Sequence, residues 1–312
     1  MATSIPTTPR IDITEGTVQG KSTELRASLR LVQPQPVVVI LYGYGAELGD
    51  LKVFANSLKK ELSPKYNDGK NIFIEYKKNR NEFFDYLESL DSEKFLIAEL
   101  HIICHAFGAG LALGYHLTEE GNKRIDAINN MAQIVQKVEN GNQCTQKVMS
   151  YEDVVQAEPC LLTDHLVLDN EPIKASQKKI IPKFTKDAFI KIWGCNSGVE
   201  KWIYTDDTAD PHFCFPSIIY WEALNTKNVP KPSIAQAIAN FFQLNTYGAT
   251  SGSNVIVKEV ETIKKNGKNT TTEKWISSEA YKKKHKHWPG PTVTQKLNPD
   301  NGQGYKLFKP EM

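Results

Sequence analysis

The 312-residue sequence has almost no net charge and no long hydrophobic run. Lysine and arginine total 38 against 36 acidic residues, so the formal net charge of +2 creates no strong field that would attract nucleic acid or an anionic membrane. No segment approaches the roughly 18 consecutive apolar residues of a membrane-spanning helix. We therefore expect no nucleic-acid partner and no stable membrane insertion, and we expect any partner to be recognised at a local site.

The sequence also lacks a secretory signal pattern and any cysteine motif. The opening residues, MATSIPTTPRIDITEG, contain neither a basic segment followed by an apolar run nor a small-residue cleavage pattern. The five cysteines are an odd number, and none has a CxxC or a zinc-ligand spacing. We expect a protein that is cytoplasmic when synthesised, with reduced thiols, no structural metal and no cofactor.

What is present is enough apolar sequence, 40% of the residues, to bury a sizeable core. Polar residues 1–35 predict an irregular N-terminal arm, and residues 36–312 predict a single α/β domain. Residues 37–41 form a β-branched apolar run followed by glycines, which is typical of a parallel strand buried on both faces.

The same pattern alternates with helical periodicity along the chain and predicts a mostly parallel central sheet flanked by helices. We expect an insertion at about 117–186, a hairpin over 253–277 that turns at Asn266-Gly267, and a wrapping tail at about 279–312. The apolar stripe of the helix at 233–242 predicts core packing. Strands are predicted over 37–41, 71–76, 96–105, 189–193 and 245–250, and helices over 50–62, 81–90 and 233–242.

Two reactive side chains end predicted strands. His105 ends one apolar run and Cys195 ends a later one, and functional side chains collect at the carboxyl ends of parallel strands. A thiol beside an imidazole can lose its proton to become a nucleophile. Strand alternation points Cys104 away from His105 and into the core. Glycines near both residues predict turns that aim backbone N–H groups at a developing oxyanion: Gly108, Gly194 and Gly198.

Each of these residues also has a structural interpretation. A cysteine after an apolar run is most often a small buried hydrophobic residue, and a histidine at a strand end is often only hydrogen-bonded. When the two residues are considered together, each at a predicted strand end and close to a glycine, the catalytic interpretation has about the same weight as the structural one.

The segment IKIWGCNSG, with the earlier strand-end histidine, resembles the caspase-like cysteine peptidases. The segments IAQAIANFF and NTYGATSG are similar to those of bacterial toxin modules of this kind. The resemblance implies a caspase-like three-layer sandwich, Cys195 as the nucleophile and His105 as the general acid or base. It further implies a peptide or protein substrate, a secreted bacterial toxin or effector, and an immunity or adaptor protein as a further partner. The substrate-binding residues that we expect on this basis are Tyr44, Thr250, Ser251, Ser253 and Asn254.

A second segment, CHAFGAGLALGYHL, resembles the nucleophile elbow of α/β-hydrolases, with Ala106 at the position of the serine. LYGYGAE would then resemble the oxyanion loop of that family. This resemblance implies a non-enzyme on a lipase-like scaffold, or an esterase whose serine has been replaced by alanine. A third alternative is a non-catalytic effector or adaptor, in which the insertion and the basic tail bind a protein partner.

Overall fold

The structure is a computed structural model that describes residues 33–43, 51–107, 110–114, 161–163, 171–199, 232–265 and 268–311. The predicted N-terminal arm up to residue 32, most of the predicted insertion and the Asn266-Gly267 turn lie outside the described residues.

A six-stranded, mostly parallel sheet organises the described residues. Its strands are β1 (Gln35–Tyr42), β2 (Ile72–Tyr76), β3 (Phe95–Ile103), β7 (Phe184–Ile192), β8 (Asn245–Ala249) and β12 (Tyr305–Phe308). The strand order is β12-β8-β7-β3-β1-β2, and only the edge strand β12 runs antiparallel to its neighbour β8. The structure therefore confirms an α/β fold with a mostly parallel central sheet.

Alternating side chains of the sheet form two hydrophobic clusters, one on each face. In β1, Val37, Val39 and Leu41 pack on one face, while Val38 and Ile40 pack on the other. Every residue of this run is buried, as expected for a strand covered on both sides. The core therefore consists of two layers that are separated by the sheet.

Four of the five helices in the described residues flank the sheet: α1 (Lys52–Leu62), α2 (Arg80–Ser89), α3 (Glu171–Ile180) and α4 (Ile234–Phe242). The fifth, α5 (Ser278–His285), packs on the antiparallel strands within residues 253–277. Helix α1 contributes Phe54, Ala55 and Leu58 to one cluster, and helices α2, α3 and α4 cover the opposite face. The predicted apolar stripe of the helix at 233–242 is confirmed as core, since its four residues are at most 3% exposed: Ile234, Ala237, Ile238 and Phe241.

Two smaller three-stranded sheets complete the described fold. The long strands β9 (Ser253–Lys265) and β10 (Lys268–Ser277) pair antiparallel, and β11 (Gln295–Pro299) joins the other side of β9. The other sheet consists of β4 (His105–Phe107), β5 (Gly110–Ala112) and β6 (Leu161–Thr163).

Residues 171–186, the end of the predicted insertion, form a helix on the central sheet and the start of one of its strands. Helix α3 buries Ile180 completely, and β7 begins at Phe184, five residues before the predicted strand. The polar residues Thr185, Lys186 and Asp187 hid this extension, because none of them continues the apolar run.

The predicted wrapping tail also has a defined role in the fold. It forms α5, then β11, which packs on α1 through a hydrogen bond from the Gln295 N–H to Ser57 Oγ (3.0 Å), and finally β12 at the edge of the central sheet. None of the helices in the described parts of the chain is long and apolar enough to cross a membrane.

Candidate functional site

The candidate site lies where β3 and β7 end side by side. These parallel neighbours are in register up to Ile102 and Ile192, and the Trp193 N–H then donates to the Ile102 carbonyl at 2.8 Å. His105 follows the end of β3, and Cys195 follows the end of β7. The topology therefore brings to one edge of the sheet the two strand ends that the sequence singled out.

The residue before Cys195 packs directly on the chain around His105. A Cβ built on Gly194 would lie 2.6 Å from the Cys104 carbonyl oxygen, 3.0 Å from the Ala106 nitrogen and 2.4 Å from the Ala106 Cβ. Only glycine fits such a close approach of two backbones. The sequence predicted Gly194 as a turn residue, and its small size is what allows the two strand ends to touch.

The turn that carries Cys195, residues 194–199, is held by hydrogen bonds to β8. The buried Ser197 hydroxyl donates to the Gly194 carbonyl and accepts from the Ala249 N–H, both at 3.0 Å. The Ser197 carbonyl accepts from the Ala235 N–H near the start of α4 (3.0 Å). These contacts connect the turn to a strand and a helix, so its backbone is closely constrained.

Gly198 does not provide the free oxyanion donor that the sequence predicted. Its N–H donates to the Ala249 carbonyl at 2.7 Å, so this amide is already used within the fold. A Cβ at this position would lie 2.8 Å from the Phe308 ring, so the glycine is needed for packing. Gly108 lies outside the described residues.

The predicted substrate loop reaches the Cys195 turn. The Ser251 carbonyl accepts a hydrogen bond from the N–H of Asn196, the residue after Cys195, at 2.8 Å. Thr250 Oγ1 accepts from Asn301 Nδ2 at 3.1 Å, so β12 and its preceding loop support this segment. Ser253 Oγ is buried without a hydrogen-bond partner among the described residues, and Asn254 is exposed. Tyr44 lies outside the described residues.

His105 begins a short antiparallel hairpin. It lies opposite Ala112 in the β4–β5 pair, and His105 and Cys195 are both partly exposed. Cys104, by contrast, is only 2% exposed and belongs to the hydrophobic core, as strand alternation predicted. Burial, with a smaller effect from the nearby Cys195, raises the pKa of the Cys104 thiol. Cys195 is therefore the accessible thiol of the two.

Sequence reasoning missed a buried polar group on β3, the strand that leads to His105. The Glu99 carboxylate, on β3, accepts hydrogen bonds from Lys65 Nζ (2.6 Å), Tyr66 Oη (2.7 Å) and His101 Nε2 (3.0 Å). Burial disfavours the charged form of Glu99, but these hydrogen bonds outweigh it and lower its pKa to about 2. The signal in the sequence was the pair Glu99 and His101, which interrupt an apolar strand two residues apart and so share one face.

Lys191 and Tyr305 lie on the same face as this polar group. The Lys191 ammonium lies 3.8 Å from the Trp193 ring centroid and 4.1 Å from that of Tyr305. Burial, together with the nearby Lys296, lowers the pKa of Lys191 to about 8. Burial, with a smaller effect from Cys195, raises the pKa of the Tyr305 phenol.

Among the residues that the structure describes, no group of three or more histidine, cysteine, aspartate or glutamate side chains could hold a metal ion. Comparison of the chain with models of known protein families, with curated proteins and with solved structures finds no match.

Proposed function

We propose that the chain is a cysteine hydrolase that cleaves peptide bonds, with Cys195 as nucleophile and His105 as its acid–base partner on a caspase-like sandwich. The observation that carries the proposal is the contact between the two strand ends, where Gly194 packs against the residues on both sides of His105. A thiol and an imidazole at adjacent strand ends are the two groups that acyl transfer needs.

In the proposed reaction, the Cys195 thiol gives its proton to His105, and the thiolate sulfur attacks the carbonyl carbon of the peptide. The carbonyl π electrons move to oxygen as the C–S bond forms. When they return, the C–N bond breaks and His105 gives its proton to the leaving amine. His105 then takes a proton from water, and the resulting hydroxide attacks the thioester. The C–S bond breaks, and the proton on His105 returns to the Cys195 sulfur, which leaves a carboxylic acid product.

The surroundings of Ala106 favour this reaction over that of a serine hydrolase. A nucleophile elbow leads from a strand into a helix and exposes its side chain. Here the strand end continues into the β4–β5 hairpin, and the Ala106 Cβ faces Gly194. We expect Ala106→Ser to produce no esterase activity.

The resemblance to toxin modules extends the proposal to the biological setting. The substrate would be a peptide segment bound along loop 250–254, and the chain would act as a secreted bacterial toxin or effector. An immunity or adaptor protein would then cover the Cys195 edge of the sheet.

Iodoacetamide labelling, with the rate at each cysteine read by mass spectrometry, tests the proposed pair. We expect Cys195 to label fastest in the folded protein and His105→Ala to slow its labelling by at least about tenfold, because the imidazole no longer accepts the thiol proton. The exposed His287 provides the control, since His287→Ala should leave the rate unchanged. Slow, uniform labelling of all five thiols, or an equal rate in His105→Ala, would contradict the proposal.

A further inference from the structure

A chain of three buried groups runs from the middle of β3 to the turn that carries Cys195. Trp193 Nε1 lies 3.3 Å from His101 Nδ1, and His101 Nε2 lies 3.0 Å from Glu99 Oε2. Glu99 and His101 are 4% and 3% exposed, and Trp193 is 7% exposed. Since polar groups buried to this degree destabilise a fold unless they are paired, their arrangement needs an explanation.

The chemistry of the three groups determines the direction of both hydrogen bonds. An indole nitrogen can only donate, so His101 Nδ1 must be the acceptor and carry no proton. Nε2 then carries the proton and donates it to the Glu99 carboxylate. His101 is therefore neutral and held in a single tautomer. Burial supports this assignment, because it lowers the pKa of His101 despite the opposing effect of Glu99.

This chain fixes the position of the Trp193 ring. The ring is also held by an edge contact with Tyr305 at 5.3 Å between centroids and by the Lys191 ammonium above it. The Trp193 backbone N–H is bound to Ile102, so both the backbone and the side chain of this residue are fixed to neighbouring elements. Trp193 is two residues before Cys195, and the chain between them is the tightly packed Gly194.

We propose that Glu99, His101 and Trp193 are positioning residues, which hold the Cys195 turn at the orientation from which its thiol reaches His105. This inference rests on the proposed function and extends it from the reacting pair to the buried groups that align them. The Glu99 carboxylate anchors the chain because it is itself fixed by Lys65 and Tyr66, which follow α1. The His101 imidazole orients the Trp193 indole through the hydrogen bond between them. Trp193 in turn orients the residues 194–199 that follow it in the chain.

The test is a double-mutant cycle that is read by the iodoacetamide labelling rate of Cys195. In the wild-type background His105→Ala should slow labelling by at least about tenfold. In Trp193→Phe, which keeps the ring but loses the N–H, the same His105→Ala change should alter the rate by no more than about twofold, because the thiol and imidazole are no longer aligned. His101→Leu, which removes the acceptor for Trp193, should behave in the same way.

His101→Gln is the rescue variant. Its amide oxygen can accept from Trp193 and its amide N–H can donate to Glu99, so the effect of His105 on labelling should return. Ser57→Ala is the matched control, because it removes a comparable buried hydrogen bond, that with the Gln295 N–H, at a different part of the fold. It should keep the full effect of His105. Near-ultraviolet circular dichroism establishes that each variant is folded.

Loss of the His105 effect in Trp193→Phe and His101→Leu, with its return in His101→Gln, is the result that we expect. An undiminished His105 effect in Trp193→Phe and His101→Leu would overturn the positioning role while leaving the proposed function intact. Absence of a His105 effect in the wild-type protein would reject the proposed function, and the positioning role would be rejected with it. If Trp193→Phe does not fold, the comparison of His101→Leu with His101→Gln decides the result alone.

Discussion

Two cysteines that follow neighbouring central strands have opposite environments. Cys104 is enclosed in the core, whereas Cys195 lies on a turn that is bound to β8 and α4. Reactivity of a thiol depends on access and on a partner for its proton, so the two residues should differ chemically even though both come after apolar runs. Cys195 is therefore open to modification by small reagents, whereas Cys104 is not.

At the same scale, the buried pair of Glu99 and His101 predicts that the protein loses stability in acid. Both folded-state pKa values lie below their ordinary values, so the unfolded state binds more protons as the pH falls. The contribution of His101 is fully present above its ordinary pKa of 6.5 and decreases below it. That of Glu99 is fully present above 4.5 and decreases as the pH falls towards about 2.

Urea unfolding at pH 7.5 and pH 5 measures this effect. His101→Gln should reduce the loss of unfolding free energy between these two conditions by about 1–2 kcal/mol, because it removes one proton-binding group. His287→Gln, at an exposed position, should retain the wild-type loss. An equal pH dependence in His101→Gln and the wild-type protein would show that His101 is not held neutral in the fold.

At the scale of elements, the turn at residues 194–199 depends on one hydroxyl group. Ser197→Ala would leave the Ala249 N–H and the Gly194 carbonyl without their present partner inside the fold. We expect a loss of about 1–3 kcal/mol in unfolding free energy, together with slower labelling of Cys195. Ser89→Ala removes an exposed hydrogen bond to the Tyr86 carbonyl and should change stability by less than about 0.5 kcal/mol. Equal stabilities of the two variants would contradict the assigned role of Ser197.

The edge strand β12 has one buried and one exposed apolar residue side by side, so its contribution to stability can be tested by comparing substitutions at the two positions. Phe308 is 2% exposed and packs beside Gly198, whereas its neighbour Leu307 is 37% exposed. Phe308→Ala should lower the unfolding free energy by about 3–5 kcal/mol, through lost burial and the cavity that remains. Leu307→Ala should cost about 1 kcal/mol or less. Chemical denaturation measures the unfolding free energy of both variants. A larger loss in Leu307→Ala than in Phe308→Ala would contradict the placement of β12.

At the scale of the whole molecule, local periodicity predicted the elements of the core but not every pairing between them. The apolar run at 37–41 became the buried strand β1, and the helix at 233–242 packs as its stripe predicts. The role of β12 was missed because YKLF has no strong pattern, and its place beside β8 is decided by contacts with residues far away in the sequence. The first residues of β7 were missed for a related reason. Their place in the sheet is decided by contacts with other elements and not by a local apolar run.

The candidate site shows the same division between local and long-range information. His105 and Cys195 were recognisable because each comes at the end of an apolar run, whereas the engaged amide of Gly198 follows from its pairing with Ala249. Trp193 could not be connected to His101 from sequence, because the hydrogen bond between them joins the residue after β7 to a residue of β3. Only the arrangement of the whole sheet brings these groups together.

The proposed reaction requires the Cys195 sulfur and the His105 ring to lie within contact of each other. Treatment of the folded protein with 1,3-dibromoacetone tests this directly, because the reagent joins a thiol and an imidazole only when both can reach its short carbon bridge. We predict a covalent link between the peptides that contain Cys195 and His105, found by mass spectrometry and absent from the His105→Ala variant. Alkylation of Cys195 with no bridge to His105 would contradict the claim.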